Sequence, residues 1–127
     1  PYIVAFWTSW CGPCGDAMPV LTELGENGIA DHDVPIAPVR ILHMTADRDP
    51  WSARAFATRN ALPPEDVLFL SSDPDRQEAF AEALSLASLP LFLLVDADGN
   101  VAYRTDGYDG NAFAFETTLG EWLKEAF

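Results

Sequence analysis

The chain has 127 residues, enough for one domain and short of what a second hydrophobic core needs. Its apolar content of 49% and charged content of 21% are ordinary globular usage and exclude a disordered, collagenous or coiled-coil chain. Acidic residues number 20 against 7 basic, a formal charge of −13 that repels nucleic acid and anionic lipid and excludes both as main partners.

Tyr2 to Trp7 (YIVAFW) is an apolar β-type run and predicts a buried strand. Gly12 to about Gly25 predicts a helix, and Asn27 to Pro38, with Gly, Asp and two Pro, a loop. Val39 to Thr45 predicts a second strand. Trp51 to Ala61 predicts a helix opened by Pro50 and ended before Pro63-Pro64, and Val67 to Leu70 a short strand. Asp75 to Ala87 predicts a helix with Phe80, Leu84 and Ala87 on one face. Leu91 to Val95 (LFLLV) is apolar throughout, as a central strand covered on both faces is. Asp98-Gly99 turns the chain into Asn100 to Arg104, completing a hairpin. In the last helix Phe115, Leu119, Trp122 and Leu123 follow the spacing i, i+4, i+7, i+8 and lay one stripe on the sheet.

The order βαβαβαββα predicts a single α/β domain over residues 1–127. Strands separated by helices are expected to pair in parallel, and the closing hairpin to make an antiparallel edge. The sheet is then mixed and mostly parallel, with helices on both faces. The longest uncharged stretch, Pro1 to Gly15, is too short and too broken by Pro and Gly to span a bilayer. The chain starts without Met at what reads as a strand, so a preceding segment bearing an address or a membrane anchor is expected.

Two cysteines, Cys11 and Cys14, are too few for a disulfide scaffold, and they sit within four residues of each other. Such a pair can form a reversible disulfide, supply half of a metal site, or fill space as small buried residues. Where a strand gives way to a helix, Cys11 falls at the helix N-cap and Cys14 near the third helical position, so both sulfurs lie on one side of the first turn. Pro13 fits there because first-turn amides have no intrahelical acceptor to lose. The open N–H groups and the dipole of a helix start stabilise a Cys11 thiolate, the attacking species in disulfide exchange. Cys14, deeper in the turn, is the expected resolving thiol. A merely stapling disulfide would close so small a loop that it contributes only roughly 2 kcal/mol. Tetrahedral zinc takes four ligands, usually as two pairs, whereas His32 and His43 stand alone in a loop and a strand, so no metal or other cofactor is expected. Pro19 opposes the Gly15 carbonyl, where it either kinks the first helix or ends it. Asp96, Asp98 and Asn100 match the opening of a calcium loop, but Val101 stands for the required Gly and Gly107 for the bidentate Glu, so the segment reads as a hairpin turn.

Trp10-Cys11-Gly12-Pro13-Cys14, with Pro19 five residues on and Leu89-Pro90 just before LFLLV, resembles the thioredoxin superfamily along nearly the whole chain. Met18-Pro19, the run Leu89 to Asp96 with Asp98-Gly99 after it, and the extra stretch from about Arg48 to Ser88 resemble its TlpA-like branch of periplasmic and membrane-anchored reductases. The resemblance implies a thioredoxin-like fold and a thiol-disulfide oxidoreductase that reduces protein disulfides through Cys11 and Cys14, with Gly12 and Pro13 shaping the turn. It implies a cis bond at Leu89-Pro90, a substrate segment pairing beside Leu89 and Pro90, and an apolar wall from Trp10. Partners would be protein thiols or disulfides and an upstream electron-donor protein. The chain would be a monomer without cofactor beyond the Cys11-Cys14 couple. It would work in the periplasm or on a membrane facing it, the cytoplasm being the alternative.

The chain also departs from that pattern. Ala5 stands where thioredoxins carry a buried Asp six residues before the first Cys, so the proton relay for the resolving thiol is missing or placed elsewhere. Asp47, at the end of the second strand, is either a substitute or a solvated loop carboxylate. Leu91 follows the proline where Thr is usual, and Gly15 follows the second Cys where a basic residue is usual, which removes a positive charge near Cys11. Two other readings stand beside the reductase: a non-catalytic thioredoxin-fold binding or assembly module, and a peroxide-reducing enzyme of the same fold.

Overall fold

The computed structural model describes residues 1–29, 36–47, 49–69, 73–83 and 88–126. Five strands, β1 (Tyr2–Trp7), β2 (Arg40–Thr45), β3 (Val67–Phe69), β4 (Leu91–Val95) and β5 (Val101–Asp106), form one sheet in the spatial order β3-β2-β1-β4-β5. Helices α1 (Gly12–Asn27), α2 (Pro50–Arg59), α3 (Pro74–Ala83) and α4 (Ala112–Ala126) intervene along the chain, and a 3-10 turn over Pro64–Asp66 leads into β3. The two most apolar runs, YIVAFW and LFLLV, are side by side at the middle of the sheet, and every residue of β4 is buried. A strand covered on both faces cannot alternate apolar with polar residues.

β1 pairs in parallel with β2, and β2 with β3, whereas β4 runs antiparallel to β1 and β5 antiparallel to β4. The expectation of parallel pairing for each strand after a helix therefore fails at β4. β3 finishes with Phe69 opposite Thr45, the partner of Trp7, while β4 begins with Leu91 opposite Phe6. Both events occur at the same end of the sheet. The segment containing α3 thus returns the chain to the end it left, and β4 has to run the other way.

Several boundaries differ from the pattern-based expectation. α1 passes through Pro19 and continues to Asn27, so Pro19 does not end it. Its stop is Gly28, which has φ +66°, donates its N–H to the Leu24 carbonyl at 3.0 Å and packs so tightly that a Cβ would collide with the Ile36 carbonyl oxygen. Ile29 and Ile36 form an antiparallel bridge across the ends of the expected loop. α2 stops at Arg59 and β5 runs on to Asp106. Leu84 and Ala87 of the expected third helix, Leu70 of the expected third strand, and His32 lie outside the described residues.

The alternation of β1 and β4 divides the core. Ile3, Ala5 and Trp7, with Phe92 and Leu94, face α1, α2 and α4, whose stripe of Phe115, Leu119, Trp122 and Leu123 is buried as its spacing predicts. Val4 and Phe6, with Leu91, Leu93 and Val95, face the other way, where the ring of Phe80 on α3 lies tilted against Phe6 at 5.9 Å. Fully burying one such side chain contributes about 1.5–3 kcal/mol.

Candidate active site

β1 delivers the chain into a tight turn, Thr8 to Trp10, closed by the Cys11 N–H donating to the Thr8 carbonyl at 3.2 Å. Cys11 then has the extended backbone of an N-cap (φ −86°, ψ 108°), and its Sγ accepts the Cys14 N–H at 3.3 Å. Gly12 and Pro13 fill the first two helical positions and Cys14 the third, as the spacing predicts. Cys11 and Cys14 are joined as a disulfide, with Cα atoms 5.3 Å apart. The two are unequal in access: Cys14 is fully buried and Cys11 only partly, with exposed Gly12 and Pro13 between them. The first turn of α1 carries no acidic side chain, so nothing there opposes the positive end of the helix dipole.

The Leu89-Pro90 peptide bond is cis. Pro90 is buried, and its carbonyl accepts the Gly107 N–H at 2.6 Å, which ties the start of β4 to the end of β5. Leu89 and Trp10 line the same cavity. Trp10 is 78% exposed, which excludes a packing role for it.

Asp47 is not the solvated loop carboxylate that its sequence position allows. It is 7% exposed. Its oxygens accept the Ser9 N–H at 2.9 and 3.1 Å, the Ser9 hydroxyl at 2.7 Å and the Thr45 hydroxyl at 2.6 Å. The carboxylate therefore clamps the turn that precedes Cys11 to the end of β2. Asp49, one turn away, caps α2, and the Ser52 hydroxyl with the Trp51 N–H holds its carboxyl below the usual carboxylate range.

Ala5 is fully buried and faces His43 across the β1–β2 ladder. His43 is 3% exposed; its Nδ1 accepts the Trp7 indole N–H at 3.1 Å, and Trp7 in turn stacks on Phe56 at 4.3 Å. Burial pushes His43 down to about 4, against the weaker pull of Asp66. This buried histidine escapes sequence reasoning, since only the strand register sets it opposite Ala5 and within reach of the Trp7 indole. Asp96 accepts the N–H groups of Asp98 and Asn100 at 2.9 and 3.0 Å, so its carboxylate organises the hairpin. Among the described residues no cluster of three His, Cys, Asp or Glu could hold a metal, and no helix is long and apolar enough to cross a membrane.

The Redoxin family model matches residues 1–119. The thioredoxin of Staphylococcus saprophyticus is 32% identical over 88 residues, which are 68% of this chain and 76% of that protein. The thiol-disulfide oxidoreductase ResA of Geobacillus kaustophilus is 31% identical over 99 residues, 76% of this chain. The chain spans 48% of ResA and 56% of a Mycobacterium tuberculosis thioredoxin that it also matches. In fold it is similar to a thioredoxin-like protein solved in its oxidised form (TM-score 0.71, 18% identity, 99% of this chain and 80% of that one). It is similar too to a secreted Mycobacterium tuberculosis disulfide oxidoreductase (TM-score 0.65, 18% identity, 98% of this chain and 80% of that one). A thiol pair at a helix start, in a chain that the family model spans almost from end to end, settles the assignment: this is a thiol-disulfide oxidoreductase of thioredoxin-like fold, and it belongs to the Redoxin family.

Proposed function

We propose that Cys11 is the attacking thiolate and Cys14 the resolving thiol of a reductase acting on protein disulfides. The unequal exposure of the two bonded cysteines carries this reading, because an incoming disulfide can reach only the partly open one. In the dithiol form, the Cys14 N–H and the end of α1 stabilise negative charge on Cys11 Sγ. That sulfur attacks one sulfur of the substrate; the Cys11–substrate bond forms, the substrate S–S bond breaks, and the departing thiolate takes a proton. Cys14 then gives up its proton and attacks Cys11 Sγ. The intramolecular disulfide forms, the Cys11–substrate bond breaks, the second substrate sulfur leaves as a thiolate and is protonated, and two electrons have passed to the substrate. An upstream dithiol protein restores the pair by the reverse exchange.

Leu89 and Pro90 take the substrate segment in extended form beside Cys11, with Trp10 as its wall and Gly12 and Pro13 holding the turn open between the sulfurs. Residues 1–127 act as one domain, a reading supported by the single sheet that both apolar clusters share; the domain works as a monomer and needs no cofactor beyond the couple itself. The working compartment is the periplasm or a membrane surface facing it; the fold shared with a secreted oxidoreductase supports this. Insulin reduction tests the assignment of roles. Cys11→Ser should abolish it, and Cys14→Ser should accumulate a mixed disulfide on non-reducing gels. Full activity in Cys11→Ser would overturn the proposal. Alkylation followed against pH should place Cys11 below the free-thiol value of about 8.5.

A further inference from the structure

A second cavity, of about 400 Å³, lies away from the thiols, between the later turns of α1, the start of β2 and the chain that follows α2. That volume is at the lower end of what small-molecule sites occupy. Leu21, Val39, Ile41 and Leu62 give it apolar walls, and the ring of His43 lines it too. Ala61 completes the wall in the left-handed conformation, at φ +54°, where glycine is free of strain. Such strain collects at ligand sites, where the surrounding structure holds it in place.

His43 supplies the chemistry. It is 3% exposed, and burial keeps its ring neutral. Nδ1 is taken as the acceptor of the Trp7 indole, so the ring proton sits on Nε2. Among the described residues nothing accepts that proton, and Nε2, unlike Thr22 Oγ1 at the same cavity, is not sealed off. A buried donor without an acceptor calls for one from outside. Arg40 and Asp66, also on the cavity, neutralise each other at 3.1 Å, and Glu26 adds a negative charge. An anion is therefore disfavoured, and an ammonium group has no lone pair to offer Nε2.

We propose that this cavity binds a small uncharged carbonyl compound with an apolar body. The carbonyl oxygen accepts the His43 Nε2 proton, and the body packs against Leu21, Ile41 and Leu62. The site is separate from the redox turn and does not depend on the direction of thiol exchange.

The test titrates the isotope-labelled full chain with benzamide, benzoate and benzylamine, which share one ring and differ in carrying an uncharged carbonyl, an anion and a cation. Benzamide should shift the His43 ring signals and the Trp7 indole N–H signal saturably, and bind about tenfold or more tighter than the other two. His43→Phe, which keeps a ring and removes the donor, should weaken benzamide about tenfold. Gly25→Leu fills the cavity from α1, where an added Cβ meets its nearest neighbours at an ordinary 3.5 Å, and should abolish binding. Thr22→Met serves if that variant fails to fold, since it fills the same space and removes an unpartnered hydroxyl. The amide spectrum reports whether each variant is folded. Equal binding of the three compounds, no saturable shift at His43, or benzamide binding unchanged in a folded filled variant would overturn the site.

Discussion

Asp47 ties Ser9 to Thr45 by accepting a backbone N–H and two hydroxyls, and it does so almost out of contact with solvent. Hydrogen bonds to a charged group contribute about 1.5–3 kcal/mol each, and donors left without a partner cost more than donors never buried. Asp47→Ala is therefore expected to lower the unfolding free energy by about 2–4 kcal/mol in urea titrations, and Asp47→Asn by less. His43 makes a pH-dependent contribution. Its folded value of about 4 lies below the ordinary 6.5, so between these values the unfolded chain binds more protons than the folded one. The contribution is complete above the ordinary value and drains away as pH falls through the folded one, by about 3 kcal/mol in all. Protonation would also place a hydrogen on Nδ1, where the Trp7 indole already donates. Urea unfolding of the wild type and His43→Gln between about pH 7 and about pH 4 should show the wild type losing ground to the variant on acidification. The carboxylates common to both proteins cancel in that difference.

At the scale of elements, the end of α1 is sharply defined. Gly28 has a positive φ and touches the Ile36 carbonyl, so Gly28→Ala meets both backbone strain and collision. A loss above about 1 kcal/mol is expected from thermal or urea unfolding. In α4, Leu119 is fully buried, and Leu119→Ala should cost about 2–5 kcal/mol by the same measurement. These two cases mark what is legible in a sequence. The α4 stripe repeats at helical spacing, and the N-cap and third-position placement of Cys11 and Cys14 is local, so both can be read without tertiary knowledge. The direction of β4 cannot, because it depends on the end of the sheet to which α3 returns the chain. Nor can the burial of Asp47, whose partner Ser9 is 38 residues away, or the bond between His43 and Trp7, 36 residues apart. Each follows from the register of β1 on β2, and no local pattern encodes a register between segments joined by a helix and a loop.

For the molecule as a whole, a formal charge of −13 means that most surface charges repel. The ion pairs Arg40–Asp66 and Arg104–Asp106, both at 3.1 Å, are partly solvent-facing and contribute little. Adding salt shortens the screening length from about 10 Å at 0.1 M to about 3 Å at 1 M, so the melting temperature should rise with sodium chloride, as calorimetry can check. The antiparallel course of β4 has a practical outcome. Tyr2 pairs with Val95, so the bend at Asp98-Gly99 sits beside the first strand residues on one rim. The thiols occupy the other rim, about 17 Å along β1. A biotin tag or gold-binding peptide grafted at either place would leave from the rear of the enzyme, orienting an immobilised layer with its chemistry turned toward the bulk liquid.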